Sequence, residues 1–172
     1  NHALTQIEIQ TLIANEGGIG CQNLDVQRWQ FQDPQLVMYH QANGNANDTI
    51  GNYHGQLQGG ATATGAGCLN QAYQFDAAGE HMRISTDIWE MGGNDALTLR
   101  TWIKTAQTSR GTIIERFAGT SPTQWDRASL IVNYDAPNQG KATFLVSDGI
   151  NTCRVNSTTA INDDQWHHII AI

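Results

Sequence analysis

"ALTLRTWIKTA", residues 96–106, is the stretch that decides the fold. Leu97, Leu99, Thr101 and Ile103 fall on one side of an extended chain, and Thr98, Arg100, Trp102 and Lys104 fall on the other. A period of two marks a β-strand with one face toward a core, because successive side chains of a strand point to opposite faces. A helix would need apolar residues three and four apart, and helical periodicity is almost absent from this chain.

Strand signals recur on both sides of that segment. Toward the N-terminus they are "ALTQIEIQTLIA" (3–14), "LVMYH" (36–40), "AYQFD" (72–76) and "HMRIS" (81–85). Toward the C-terminus they are "GTIIERFAG" (111–119), "ASLIVNYDA" (128–136), "KATFLVSDG" (141–149), "TCRVNST" (152–158) and "QWHHIIAI" (165–172). Turn residues such as "APNQG" (136–140) and "SDG" (147–149) separate them. About nine or ten short strands cut by Gly, Asn, Asp and Pro predict an all-β, antiparallel β-sandwich. Residues 15–35 are irregular and rich in Gly and Gln, and 41–67 read as loop. We therefore expect an N-terminal strand and linker over 1–35, either the tail of a preceding domain or a donor strand, and the sandwich over 36–172.

Composition narrows the function. The chain has 172 residues, 15% of them charged, with nine Lys plus Arg against sixteen Asp plus Glu and a net charge of −7. Nucleic-acid binding needs a basic stripe, and none is visible. No apolar run approaches the roughly 18 residues of a spanning helix. The polar residues are mostly Asn, Gln, Thr, Ser and Gly, a composition of secreted or cell-surface β proteins. Beginning at Asn1, the chain reads as a processed product or a piece of something longer. Cys21, Cys68 and Cys153 are spaced by 47 and 85 residues, which excludes a zinc or redox CxxC motif. In an oxidising compartment we expect a Cys68–Cys153 disulfide, as both lie in strand-like segments; the alternative is three reduced, buried cysteines.

Five ordered stretches resemble the laminin-G-like jelly roll of the concanavalin A-like lectin and glucanase superfamily, which also contains pentraxins. They are "LVMYHQANGNANDTIGNYHGQLQGGAT" (36–62), "GAGCLNQAYQFDAAGEHMRIS" (65–85), "LTLRTWIKT" (97–105), "GTIIERFAG" and "INDDQWHHIIAI" (161–172). The resemblance covers about four-fifths of the chain and implies a jelly roll. It does not fix a function, because that fold serves lectins, adhesion modules and glycanases. In the family, the Trp-His-His strand is followed by a hairpin and a closing strand, and here the sequence stops first. We expect either a jelly roll lacking its closing strands or completion by strand addition from another chain, with residues 4–14 as donor in a homo-oligomer or fibre.

Candidate chemistry follows from residue type and spacing. Adjacent residues of a strand face apart, so His167 and His168 read as packing rather than as ligands of one ion. Calcium prefers loop oxygens, and Asn47, Asp48, Asp76 and Glu80 are the expected donors. Several branches of the resembled superfamily hold calcium near the sandwich rim, although Ala77 replaces the Gly usual after that Asp. For ligand binding, Trp125 in a polar loop with Asp126 and Arg127, Tyr134 nearby, and Trp89 offer aromatic faces beside polar groups. No catalytic residue is assigned. Asp87 and Glu90 are spaced three apart and so face opposite ways, whereas retaining glycanases of this fold pair their carboxylates about two residues apart on one strand face. A Gly-x-Ser-x-Gly elbow is absent. The expectation is a non-enzymatic recognition or adhesion module for carbohydrate or an extracellular protein, with a fibre subunit and a glycan-active enzyme as the other readings.

Overall fold

A computed structural model describes residues 9–13, 36–68, 70–85, 97–121 and 124–172, and side-chain surroundings for 36–68, 70–85, 97–116 and 128–172. The protein is all-β. In chain order the strands are β1 (Ile9–Ile13), β2 (Gly55–Gln58), β3 (Thr62–Ala66), β4 (Gln71–Gln74), β5 (His81–Ile84), β6 (Leu99–Lys104), β7 (Gly111–Ser121), β8 (Gln124–Val132), β9 (Lys141–Asp148), β10 (Thr152–Ala160) and β11 (Trp166–Ala171). The described residues contain no α-helix, only a 3-10 turn at Ala136–Asn138. Two compact units form: Asn1–Glu16 with Met91–Ile172, and Gly17–Glu90.

The first unit holds two antiparallel sheets, ordered β1-β11-β6 and β10-β9-β8-β7. The last strand is central in its sheet. Ile169 pairs with Thr11 on one side and Thr101 on the other. The edge that was expected to await a strand from another chain is thus covered by the chain's own N-terminal strand.

Along β11, half-buried Trp166, His168 and Ile170 alternate with buried His167, Ile169 and Ala171. The two histidines therefore part company, as strand geometry requires. His168 stacks on Trp102 with ring centroids 4.9 Å apart. Burial, with the nearby Arg100 charge, holds its imidazole below the ordinary value. His167 is fully buried, and its Nε2 lies 2.7 Å from Asp163 Oδ1. That contact holds the Asp163 carboxyl below the usual range.

Strands β8 and β9 depart from alternation. Ser129 to Val132 and Ala142 to Leu145 are buried without interruption, so both faces of the sheet are covered along these runs. The buried hydroxyls of this sheet are satisfied. Thr143 donates to Asn156 Oδ1 at 2.8 Å, Ser129 to Glu115 Oε1 at 2.9 Å, and Ser157 to the Thr159 carbonyl at 2.7 Å.

The second unit contains two ladders, β2 with β5 and β3 with β4. Strands β2 and β3 lie within the stretch that reads as loop, and "LVMYH" contributes only an isolated bridge from His40 to Asp48. Their inward positions are small or sparse: Gly55 and Leu57 on β2, Ala63 and Gly65 on β3. Close approach explains the glycine. A Cβ at Gly55 would come within 2.6 Å of Met82 Sδ on the neighbouring strand. The described core here is Ala42, Ala46, Ala63 and Cys68 with the Asp48 carboxylate, a thin apolar interior.

The cysteine expectation is overturned. Cys68 is disulfide-bonded and Cys153 is a free, half-buried thiol, so the two are not partners. The apolar interior of the second unit is small, and a covalent link there restricts the unfolded chain where burial contributes least. Alkylation of the native, unreduced protein should label Cys153 and leave Cys68 unmodified. Peptide mapping by mass spectrometry checks this.

Candidate functional site

The site is built around one buried carboxylate. Asp48 is 5% exposed. Its Oδ1 accepts the backbone N–H of Tyr39 at 2.9 Å and of Ile50 at 3.2 Å, and its Oδ2 accepts that of Tyr53 at 3.2 Å. The N–H of Asp48 itself donates to His54 Nδ1 at 3.2 Å, which requires that imidazole nitrogen to be unprotonated. The side chain therefore gathers three points of the 39–54 segment and the Asp48 backbone N–H a fourth. Burial pushes the Asp48 carboxyl up, but the backbone donors of Tyr39, Ile50, Tyr53 and Gly51 outweigh it and hold it below the ordinary range.

The loop that Asp48 closes forms a cleft of about 320 Å³ lined by Gln41, Ala42, Asn43, Asn45, Asn47, Asp48 and Thr49. Its backbone is fixed from within. Gly44, at φ +75°, shares its N–H between the carbonyls of Ala42 and Ala63, both at 3.0 Å, which ties the loop to β3. Asn45 Oδ1 accepts the Asn47 N–H at 2.9 Å, and Asn45 Nδ2 donates to the Asn43 carbonyl at 3.3 Å. The Tyr73 hydroxyl donates to the Asn45 carbonyl at 3.3 Å and lies 3.5 Å from His40 Nδ1. Burial pushes the Tyr73 phenol up to about 12, so the hydroxyl keeps its proton at neutral pH. Burial also lowers the His40 imidazole against the nearby Asp48 charge, and His40 Nε2 is buried without a hydrogen-bond partner. Phe75 stands 6.3 Å from the Tyr73 ring and is half exposed.

The residues expected to bind calcium are placed in two separate turns. Asn47 lies on the exposed rim of the cleft, whereas the Asp48 carboxylate is occupied by backbone donors. Glu80 closes its own turn by accepting the N–H groups of Asp76 and, at 3.0 Å, of Ala77; Asp76 Oδ2 accepts from Gln74 Nε2 at 2.8 Å. Among the described residues no group of three or more His, Cys, Asp or Glu side chains is gathered for a metal ion.

The residues expected to bind a ligand are dispersed. Trp89 lies outside the described residues. Trp125, Asp126 and Arg127 belong to β8 rather than to a loop, Asp126 pairing with Asp148 and Arg127 with Ser147; their side chains lie outside the described set. The Tyr134 ring carries the guanidinium carbons of Arg110 and Arg154 at 4.8 Å and 5.2 Å from its centroid. Tyr134 is thus a seat for cations rather than a bare stacking surface. Gln41, Asn43, Thr49, Tyr73 and Phe75 escaped the sequence reading as site residues, although the density of Asn over 43–47 was the available signal.

Comparison with family models, with curated proteins and with solved structures finds no match. The likeness to laminin-G-like domains rests on the ordered motifs alone.

Proposed function

We propose that this protein is a non-catalytic recognition module that binds a neutral carbohydrate in the cleft of the 41–49 loop, in a secreted or cell-surface setting where the disulfide at Cys68 persists. The observation that carries this reading is the wall of the cleft. Amide residues, Thr49, Ala42 and the Asp48 carboxylate line it, the loop is held by its own hydrogen bonds, and half-exposed Phe75 lies 6.3 Å from the ring of Tyr73, whose hydroxyl bonds the Asn45 carbonyl. Sugar hydroxyls donate and accept, and amides answer both ways. The C–H face of a sugar packs against an aromatic ring, and a loop already ordered loses little entropy on binding.

A glycan array probed with the intact protein tests the reading. Binding of a neutral oligosaccharide should weaken at least about tenfold in Phe75→Ala and in Asn47→Ala, each removing one recognition group of roughly 1.4 kcal/mol or more. Unchanged binding in both variants would sink it. The calcium dependence implied by the resemblance is read in the same array, with millimolar calcium and with chelator. A thermal shift must accompany any calcium that binds the folded chain.

A further inference from the structure

We propose that Arg110 and Arg154, gathered on Tyr134, bind the oxyanion of an acidic sugar, a carboxylate or a sulfate. The three residues come from separate parts of the first unit: Arg110 precedes β7, Tyr134 follows β8, and Arg154 lies in β10. Both guanidinium carbons stand within 5.2 Å of one ring centroid. Among the described residues one carboxylate compensates them: Arg154 Nη1 lies 2.8 Å from Asp135 Oδ2. Arg110 is exposed and has no carboxylate partner among the described residues. In a chain of net charge −7, two cations share one ring with a single counter-charge, leaving one guanidinium free to pair.

The surrounding backbone is fixed. Asn133, buried and at φ +55°, donates from Nδ2 to the carbonyls of Gln107 at 2.7 Å and Ser109 at 3.0 Å, and accepts the Gly140 N–H on Oδ1 at 2.6 Å. Gln107 Nε2 in turn donates to the Arg110 carbonyl at 3.1 Å. The chain on both sides of Arg110 is therefore anchored, and the Tyr134 face attracts its guanidinium. A guanidinium so held offers a planar fork that matches a carboxylate or sulfate.

Calorimetric titration with glucuronate, glucose 6-sulfate, glucose and inorganic sulfate tests the site. At least one charged sugar should bind saturably and more tightly than glucose, and added sodium chloride should weaken that binding while leaving any binding of glucose unchanged. Whichever charged sugar binds more tightly identifies the oxyanion. Arg110→Ala, an exposed position, should weaken it at least about tenfold. Asp135→Asn releases Arg154 from its carboxylate and should strengthen binding several-fold, which a purely structural cluster would not do. Phe75→Ala should leave it unchanged, separating this site from the neutral-sugar cleft. Failure of both charged sugars to bind, indifference to Arg110→Ala, or loss of affinity in Asp135→Asn would overturn the proposal. Inorganic sulfate binding as tightly as the sulfated sugar would overturn the sugar assignment, leaving an adventitious anion only.

Discussion

Replacing Phe144 with alanine is expected to lower stability by about 4 kcal/mol. The ring is 1% exposed, on a strand paired on both sides, with Leu130 opposite it on β8 and Val155 opposite it on β10. Truncation forfeits the transfer free energy of the benzyl group and leaves a cavity whose walls belong to two hydrogen-bonded ladders, so they cannot collapse inward without breaking register. Phe144→Leu, which keeps most of the volume, should cost about 1.5 kcal/mol. For a chain of this length the alanine variant should melt about 10 °C lower. Because the protein has two compact units, the transition is best followed by a probe inside the first, such as the environment of Trp102 and Trp166. A loss below about 1 kcal/mol would mean that β9 is not the covered strand that its burial implies.

The strands of the first unit were legible for a simple reason. A strand with one covered face alternates, as β6 and β11 do, and a strand with two covered faces shows a continuous apolar run, as "SLIV" and "ATFL" do. In β2 and β3 the covering is done by Gly, Ala and a single Leu, so hydrophobic patterning carries almost no signal although the ladders form. The extended reading of residues 36–40 failed in the opposite sense, since Leu36 and Val37 are exposed. Cysteine pairing was not legible, because spacings of 47 and 85 residues constrain it weakly. Trp125 was misplaced because polar residues and Pro122 before it read as a long loop, whereas β8 begins at Gln124. The Arg110, Tyr134 and Arg154 cluster left no sequence trace, since only the sheet register brings residues so far apart onto one ring. At Asp48 the sequence shows an acid among asparagines, not the backbone N–H groups that converge on its carboxylate.

Asp48→Ala is expected to cost about 3 kcal/mol at neutral pH, with the loss falling on the second unit. The substitution leaves the N–H groups of Tyr39, Ile50 and Tyr53 without an acceptor in a buried place, and the alanines beside them offer no compensating apolar contact. Asp48→Asn should cost less, about 2 kcal/mol, since one amide oxygen can still accept from Tyr39 and Ile50 while the NH₂ group must face the Tyr53 donor. The pH dependence has a definite sign. The folded-state carboxyl titrates below the ordinary value of 3.8, so its contribution is complete above about pH 4 and is lost as pH falls through the lower folded value. Denaturant unfolding of wild type and Asp48→Ala should therefore differ most at neutral pH and converge in acid. If Asp48 were instead a calcium ligand, the destabilisation would appear only with calcium present and would vanish with chelator. Equal losses in calcium and in chelator, converging at low pH, identify the carboxylate as the organiser of the loop that carries the cleft.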